Sequence, residues 1–426
     1  MTNYLSLGLM SGTSMDGIDA VLLETDGIHH VRPLGSLYLN YDPLFHILLK
    51  SLEYAVNQTQ GNLDKARNSY EDYLKQYLTH ALLLKQEQLK QQLTMLQKYL
   101  VKQKLSLRFD DIVEHSTILH TKVSLALLNK LQRKPNDIDV IGYHGQTLYH
   151  HPKNNLTIQV GNARTLAQRI QTSVVYDFRT NDIENGGQGA PLVPLFHQTL
   201  TTRDNLTPAA IFNCGGISNI SIITGNTLDD VIAFDIGPGN GLLDRFVKIK
   251  TQGKFQIDEN AQFAKQGTVH QTVLQTLYEQ SCIVDGDNFF RKQPPKSLDI
   301  MSFHLPEAVL ALNLSDGCAT LAEFSAQLMA ESLKVAPIPM KHIILAGGGW
   351  QNPAILHAFK RHINNNFHTS HIATANDIGW DTQTLEAQAF AFLAVRHLKQ
   401  LPLSTPKTTG VKAPLSGGKL IKSNSR

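Results

Sequence analysis

The sequence predicts an α/β protein built as two related domains with a central cleft. Three observations carry that prediction. A strand–turn–strand device, with small residues between apolar runs, occurs near the N-terminus and again near Ala209. Short apolar strands alternate with helical patterns after Pro135, which is the layered arrangement of α/β proteins. The chain has 426 residues, and at ~150 residues per domain one core is too few.

The first strand runs from Tyr4 to Leu9. The turn Met10-Ser11-Gly12-Thr13-Ser14-Met15-Asp16-Gly17 leads into a second, Ile18 to Leu23. Hydroxyls and Asp-Gly between apolar runs are hairpin chemistry. Leu34 to Leu39 reads as a third strand. No glycine occurs between Asn62 and Ile141, and no proline between Leu44 and Lys134. Apolar residues recur there at helical spacing, which predicts helices over Lys65 to Tyr99 and Asp110 to Leu131. The Gln/Lys-rich stretch Lys85 to Gln103 reads as a protruding, solvated helical pair.

Past Pro135 the pattern gives strands at Asp139 to Tyr143, Leu156 to Val160 and Val174 to Tyr176, with a helix at Ala163 to Ile170. The device then restarts. Strands Ala209 to Asn213 and Ile220 to Thr224 flank Cys214-Gly215-Gly216-Ile217-Ser218-Asn219. A third strand, Val231 to Phe234, ends in Asp235-Ile236-Gly237-Pro238-Gly239-Asn240-Gly241. A helix follows at Thr320 to Lys334, then a strand at His342 to Ala346 that enters Gly347-Gly348-Gly349-Trp350. Helices Pro353 to His362 and Leu385 to Leu398 complete the pattern. The tail Thr405 to Arg426, rich in Thr, Ser, Gly and Lys, is expected to be less ordered. The division falls between 1–205, with a long helical insert near 51–131, and 206–426, whose last helix is free to pack back on the first domain.

Composition narrows the function. Hydrophobic residues are 42% and charged residues 18%, which excludes a disordered chain. Thirty-nine Lys+Arg against 36 Asp+Glu leave +3, too balanced to argue for nucleic acid. Cys214, Cys282 and Cys318 lie far apart and form neither a disulfide framework nor a metal pair. The chain begins Met-Thr-Asn-Tyr without a basic and apolar leader, and no apolar run approaches the ~20 residues of a membrane span. The expectation is a cytoplasmic enzyme with no membrane partner.

Glycine lets backbone N–H groups approach a phosphate. One such loop is an ordinary tight turn. Here Gly12 to Gly17, Gly215 with Gly216, and Gly347 to Gly349 each follow a strand, and Gly237 to Gly241 follow Asp235. Several at strand ends favour nucleotide binding. No G-x-x-x-x-G-K-[ST] is present, because Lys419 is followed by Leu420. No strand leads into G-x-G-x-x-G with an acid about 20 residues on. No H-E-x-x-H exists, and the 18 histidines lack metal spacing. No G-x-S-x-G elbow surrounds Ser11 or Ser14.

The segment Gly8-Leu9-Met10-Ser11-Gly12-Thr13-Ser14-Met15-Asp16-Gly17-Ile18-Asp19 resembles the signature of anhydro-N-acetylmuramic acid kinases. So do Gly142-Tyr143-His144-Gly145-Gln146-Thr147, Gln159-Val160-Gly161-Asn162, Asp177-Phe178-Arg179 and Gly186-Gly187-Gln188-Gly189-Ala190-Pro191. The resemblance continues through Asn213 to Asn219, Phe234 to Asn240, Pro295-Lys296-Ser297 and Gly347 to Asn352. The blocks keep the family's order and cover most of the chain. The segment from about Ser51 to Asp110 departs from it, being longer and richer in Gln and Lys, and Cys214 stands where Ile or Val is expected.

The resemblance implies two ribonuclease-H-like domains of the sugar-kinase, actin and heat-shock chaperone ATPase superfamily, closing over ATP. It implies that Gly12, Thr13, Ser14, Met15, Asp16, Gly17, Ile18 and Asp19 form the first phosphate loop. Gly215 and Gly216 resemble the second, and Gly347, Gly348 and Gly349 the adenosine loop. Asp16 or Asp19 is expected to hold Mg²⁺ through water, since Mg²⁺ keeps most of its waters. Asp235, at the end of an apolar strand, resembles the family's general base, and Glu386 a glutamate that assists in the sugar site. His144, Gln146, Arg179, Gly187 and Gln188 are the candidate sugar-binding residues. For the substrate's lactyl carboxylate, Arg179, Lys296 and the Gly186 to Gly189 loop all remain candidates.

The implied reaction is unusual for a kinase. The 1,6-anhydro sugar has no free 6-hydroxyl. A water must attack the anomeric carbon as the bridge opens, and the freed 6-oxygen takes the γ-phosphoryl group. The products are N-acetylmuramic acid 6-phosphate and ADP, made during cell-wall recycling. Two alternatives stand beside this: a kinase of the same superfamily acting on another sugar, and an actin-like assembling ATPase. A homodimer is compatible with all three.

Overall fold

The computed structural model describes residues 2–82, 84–298, 302–367 and 371–423. Fourteen strands are named among them, in chain order β1 (Tyr4–Ser11), β2 (Gly17–Thr25), β3 (Val31–Asn40), β4 (Val140–His151), β5 (Leu156–Val160), β6 (Val174–Tyr176), β7 (Ala209–Cys214), β8 (Ile217–Ile223), β9 (Val231–Pro238), β10 (Ile283–Val284), β11 (Asp287–Asn288), β12 (His342–Ala346), β13 (His371–Thr374) and β14 (Lys419–Ile421). The chain divides into two compact units. One comprises 1–189, 384–404 and 414–426; the other comprises 190–383 and 405–413.

In the first unit the sheet order is β14-β6-β4-β1-β2-β3, with β5 paired to β4. The hairpin β1–β2 and the pair β2–β3 are antiparallel. The pairs β1–β4 and β4–β6 are parallel. In the second unit the order is β13-β12-β7-β8-β9, again with an antiparallel trio and a parallel flank. Five strands thus follow one plan twice: three antiparallel strands, then two more laid parallel beside the first of them. This is the duplicated ribonuclease-H-like fold that the resemblance implies. Each unit has its own apolar core, around Leu7, Leu9, Phe45 and Ile141 in the first and around Phe212, Phe246, Phe324 and Phe359 in the second.

The unit boundary falls at 189/190 rather than 205/206, because the helix Pro194–Arg203 packs on β8 and β9. Its His197 Nδ1 lies 2.9 Å from Ser221 Oγ. The helix Leu385–Leu398 packs on β1, β2 and β4. A Cβ at Gly8 would meet Ala387 O at 1.8 Å, and one at Gly142 would meet Phe390 O at 2.0 Å. Two bare strand positions therefore let the helix lie directly on the sheet.

The expected helix Lys65 to Tyr99 is broken. It becomes Leu63–Asn68, Tyr70–Gln76, a π-helical turn Tyr77–Ala81, and Gln86–Gln103. Asn62 caps the first piece through Lys65 N, and Ser69 leaves helical geometry at φ −117°. The Gln/Lys-rich segment is one helix rather than a pair, anchored by buried Leu96, Tyr99 and Leu100. The tail is also ordered. Residues 405–413 join the second unit, and β14 pairs antiparallel with β6. Residues 424–426 of the expected loose tail lie outside the described residues. No described helix is long and apolar enough to cross a membrane.

Candidate active site

The predicted site residues fall into clusters within each unit. In the first, the turn between β1 and β2 carries Gly12, Thr13, Ser14 and Asp16 at the surface. Met15 turns the chain at φ 56°, and its N–H donates to Gly12 O at 3.1 Å. Met15 and Ile18 are wholly buried, so their side chains serve the core and not a ligand. Gly17 likewise answers packing, since a Cβ there would lie 2.5 Å from Leu39 O and from the Tyr38 hydroxyl. Ser14 Oγ donates to Asp16 Oδ1 at 2.8 Å. Burial, with Asp16 and Asp19 close by, pushes the Tyr38 hydroxyl up to about 12.

Gln146 braces the turn between β1 and β2. It is fully buried. Its Oε1 accepts from Ser11 Oγ at 2.6 Å, and its Nε2 donates to Gly12 O at 3.0 Å. Tyr41 Oη completes the network by donating to Ser11 Oγ at 3.2 Å.

A second cluster gathers His144, Arg179 and the Gly186 to Gly189 loop. Arg179 Nε and Nη2 both lie 3.1 Å from His144 Nε2, and Nη1 donates to Gly189 O at 2.8 Å. His144 Nδ1 donates to Gly145 O at 2.9 Å. Accepting at Nε2 requires the neutral imidazole. Burial and the Arg179 charge agree, pushing His144 down to about 3. Gly187 N donates to Asp182 O at 2.9 Å, and Gly189 N to Asp182 Oδ1 at 2.6 Å. Gln188 is half-buried beside them. Glu386, in the first turn of the helix Leu385–Leu398, is exposed. The protein packed around it still raises its carboxyl above the usual range, and Arg179 opposes the rise. Asp182 is a buried carboxylate that reading for glycine loops missed. Its signal was its place between two blocks of the signature.

In the second unit Gly215 and Gly216 turn the chain between β7 and β8. Their carbonyls accept from Gly239, Asn240 and Gly241 N–H groups at 2.9–3.2 Å. Gly347 (φ +91°) and Gly349 are packing positions: a Cβ would lie 2.5 Å from Asn213 Oδ1 at the first and 2.4 Å from Cys214 Sγ at the second. Gly348 differs, because a Cβ there would meet nothing within 4 Å. At Gly12 and Gly215 the nearest atoms would be 3.7 and 3.5 Å away. At these three positions the backbone is not pressed on a neighbour.

Asp235 on β9 is buried. Its Oδ2 accepts from Leu298 N at 2.9 Å, and its N–H donates to Lys296 O at 2.9 Å. Lys296 Nζ donates to Phe289 O at 3.2 Å and lies 4.6 Å from that ring's centre. Burial pushes this ammonium down to about 8, against the Asp235 charge. Asp244 also escaped the sequence reading. Burial raises it to about 7, with Asp258 adding to the rise and a 2.6 Å hydrogen bond from Asn240 Nδ2 opposing it. The i, i+4 spacing of Asn240 and Asp244 was the available clue.

Among the described residues, no group of three or more His, Cys, Asp or Glu side chains is placed to hold a metal ion. Asp16 lies in the turn and Asp19 on β2, and both are carboxylates of the kind that Mg²⁺ takes through its waters.

A family model described as anhydro-N-acetylmuramic acid kinase matches residues 62–423. The anhydro-N-acetylmuramic acid kinase of Pelagibacter ubique is 32% identical over 424 residues, covering 98% of each chain. The protein of that name from Bradyrhizobium diazoefficiens is 36% identical over 421 residues, covering 97% of this chain and 98% of its own.

Proposed function

The chain belongs to the anhydro-N-acetylmuramic acid kinase family, and from that premise we propose that it phosphorylates 1,6-anhydro-N-acetylmuramic acid with ATP while water opens the anhydro bridge. The match over 62–423 carries this reading. Water adds to the anomeric carbon and the bond from that carbon to the 6-oxygen breaks. The 6-oxygen takes the γ-phosphoryl group, and ADP leaves. The proton from the water passes to a carboxylate.

Asp235 is the carboxylate proposed as that base. Its Leu298 hydrogen bond fixes one oxygen, and a fixed base contributes ~10²–10⁴-fold. Glu386 assists at the sugar. A second reading places the base at Asp182, because that carboxylate lies in the cluster with Arg179 and the Gly186–Gly189 loop. Neutral His144 and Arg179 present a fixed polar surface to the sugar, and Arg179 is the proposed partner of the lactyl carboxylate. Gly12, Gly215 and Gly348 give the nucleotide its backbone access. Asp16 or Asp19 would hold Mg²⁺ through water, and the ion when bound neutralises phosphoryl charge. The reaction belongs to cell-wall sugar recycling in the cytoplasm.

The test is ADP release by the purified protein with 1,6-anhydro-N-acetylmuramic acid and with a panel of plain sugars. ADP release with the anhydro sugar alone is the expected result. Equal or better turnover of a plain sugar would indicate another kinase of the superfamily. Sugar-independent hydrolysis with filament formation would indicate an assembling ATPase.

A further inference from the structure

The turn between β1 and β2 is held from behind through its carbonyl oxygens. Gly12 O accepts from Gln146 Nε2 at 3.0 Å. Thr13 O accepts from Lys50 Nζ at 2.8 Å. Asp16 O accepts from the Tyr41 N–H at 2.8 Å. Lys50 comes from the helix Pro43–Gln58, outside the segment that the family model matches. It is partly buried and also pairs with Glu53 at 2.9 Å. These peptide bonds are trans. In a trans peptide the C=O and the following N–H point in opposite directions. Fixing Gly12 O toward Gln146 aims the Thr13 N–H away from it. Fixing Thr13 O toward Lys50 does the same for the Ser14 N–H.

We propose that Lys50 and Gln146 are positioning residues that orient the Gly12–Thr13 and Thr13–Ser14 peptide planes, so that the Thr13 and Ser14 N–H groups face a nucleotide phosphate. The inference rests on the reading of Gly12 to Asp16 as a phosphate loop and names what sets its geometry. Orientation fixed before binding spares the loop the cost of ordering when the phosphate arrives. Gln146 is suited to this task because Ser11 and Tyr41 fix its amide in turn. Lys50 adds a donor that carries charge, and charge-assisted bonds are the stronger kind.

The experiment measures the affinity of ATP, ADP and adenosine by calorimetry, together with kcat and KM, for Lys50→Met, Lys50→Arg, Gln146→Met and Gly12→Val. Lys50→Met is expected to weaken ATP and ADP about tenfold, the lower range for a charged hydrogen bond, while adenosine affinity and Tm stay as in the unaltered protein. Lys50→Arg should recover most of the loss. Gln146→Met removes no charge and should show the same loss confined to phosphate-bearing ligands. Wild-type ATP affinity in Lys50→Met, or equal loss of ATP and adenosine, overturns the proposal. A loss in Lys50→Met that vanishes at 0.5 M salt also overturns it, because long-range charge is screened and orientation is not. That arm decides the matter if Gln146→Met does not fold. Gly12→Val separates the two levels of inference. A folded Gly12→Val protein that binds ATP normally sinks the phosphate-loop reading itself. A crippled Gly12→Val beside an unaffected Lys50→Met sinks only the positioning role.

Discussion

At the scale of single residues, the roles proposed for the carboxylates can be separated by substitution. Asp235→Asn keeps the shape and the acceptor for Leu298 N–H but cannot take a proton from water. It is expected to bind ATP normally and lose at least ~10²-fold in turnover. Glu386→Gln should lose less. Steady-state kinetics on both, with Asp182→Asn beside them, checks the assignment; if Asp182→Asn alone abolishes turnover, the base belongs to the Arg179 cluster. The glycines divide as sharply. Gly348→Val should fold and lose nucleotide affinity, because its side chain enters space that is otherwise open. Gly349→Ala should instead lower Tm, since its Cβ falls 2.4 Å from Cys214 Sγ and overpacking costs ~1–3 kcal/mol. Calorimetry on the first and thermal melts on the second tell the two apart. The sequence marked all three glycines of Gly347–Gly349 alike. It had no means to tell a bare backbone facing solvent from one pressed on a neighbouring strand. Gln146 was legible as polar and embedded in a signature, yet whether its amide faces a sugar or the back of a loop depends on where β4 runs beside β1.

At the scale of elements, agreement came where local pattern and tertiary environment ask for the same thing. Leu156–Val160, Val174–Tyr176 and His342–Ala346 are strands over the expected residues, and Ala163–Ile170 and Leu385–Leu398 are helices over theirs. Asn162, whose Oδ1 accepts from Thr165 N, starts one of those helices with an ordinary cap. The helix Pro43–Gln58 has the same signal, with Asp42 as cap and proline first, and the reading passed over it. Strand β14 could not be found by apolar pattern, because its place is fixed by backbone pairing with β6. The helix Gly241–Lys250 carries a consequence for pH. The folded protein holds Asp244 near 7 against an ordinary 3.8. Between those values the folded state binds the extra proton, so this group costs stability as pH rises from about 4 to about 7, and the full cost remains above 7. Asp244→Asn keeps an acceptor for Asn240 Nδ2 and removes the ionisation. Its Tm should gain on that of the unaltered protein through this window and hold a constant lead at pH 8. A lead that stays flat through this window would mean that Asp244 ionises freely in the folded state, and a lead that shrinks would mean that its ionisation favours folding.

At the scale of the whole molecule, two units of one strand plan carry different equipment, with the Arg179 cluster in the first and Asp235 with Lys296 in the second. The strand-order duplication was legible because each unit opens on the same hairpin device. The 189/190 boundary was not, because only packing tells which sheet the helix Pro194–Arg203 serves. The proposed reaction requires that ring opening and phosphoryl transfer occur together. In oxygen-18 water the product should carry label on its anomeric hydroxyl and none in the bridging oxygen of the phosphate ester, which comes from the sugar's own 6-position. The reading must be taken early, because the free anomeric hydroxyl exchanges slowly through the open-chain form. A hydrolase followed by a separate kinase step would give the same label, so a second measurement is needed. If the departing 6-oxygen is captured by phosphorus as it forms, the anhydro ring should stay closed without nucleotide, and free N-acetylmuramic acid should never accumulate. Holding the two reacting atoms together is what makes capture faster than escape. Rapid ring opening in the absence of ATP, followed by mass spectrometry of the sugar, would overturn the coupled mechanism and leave two reactions in sequence.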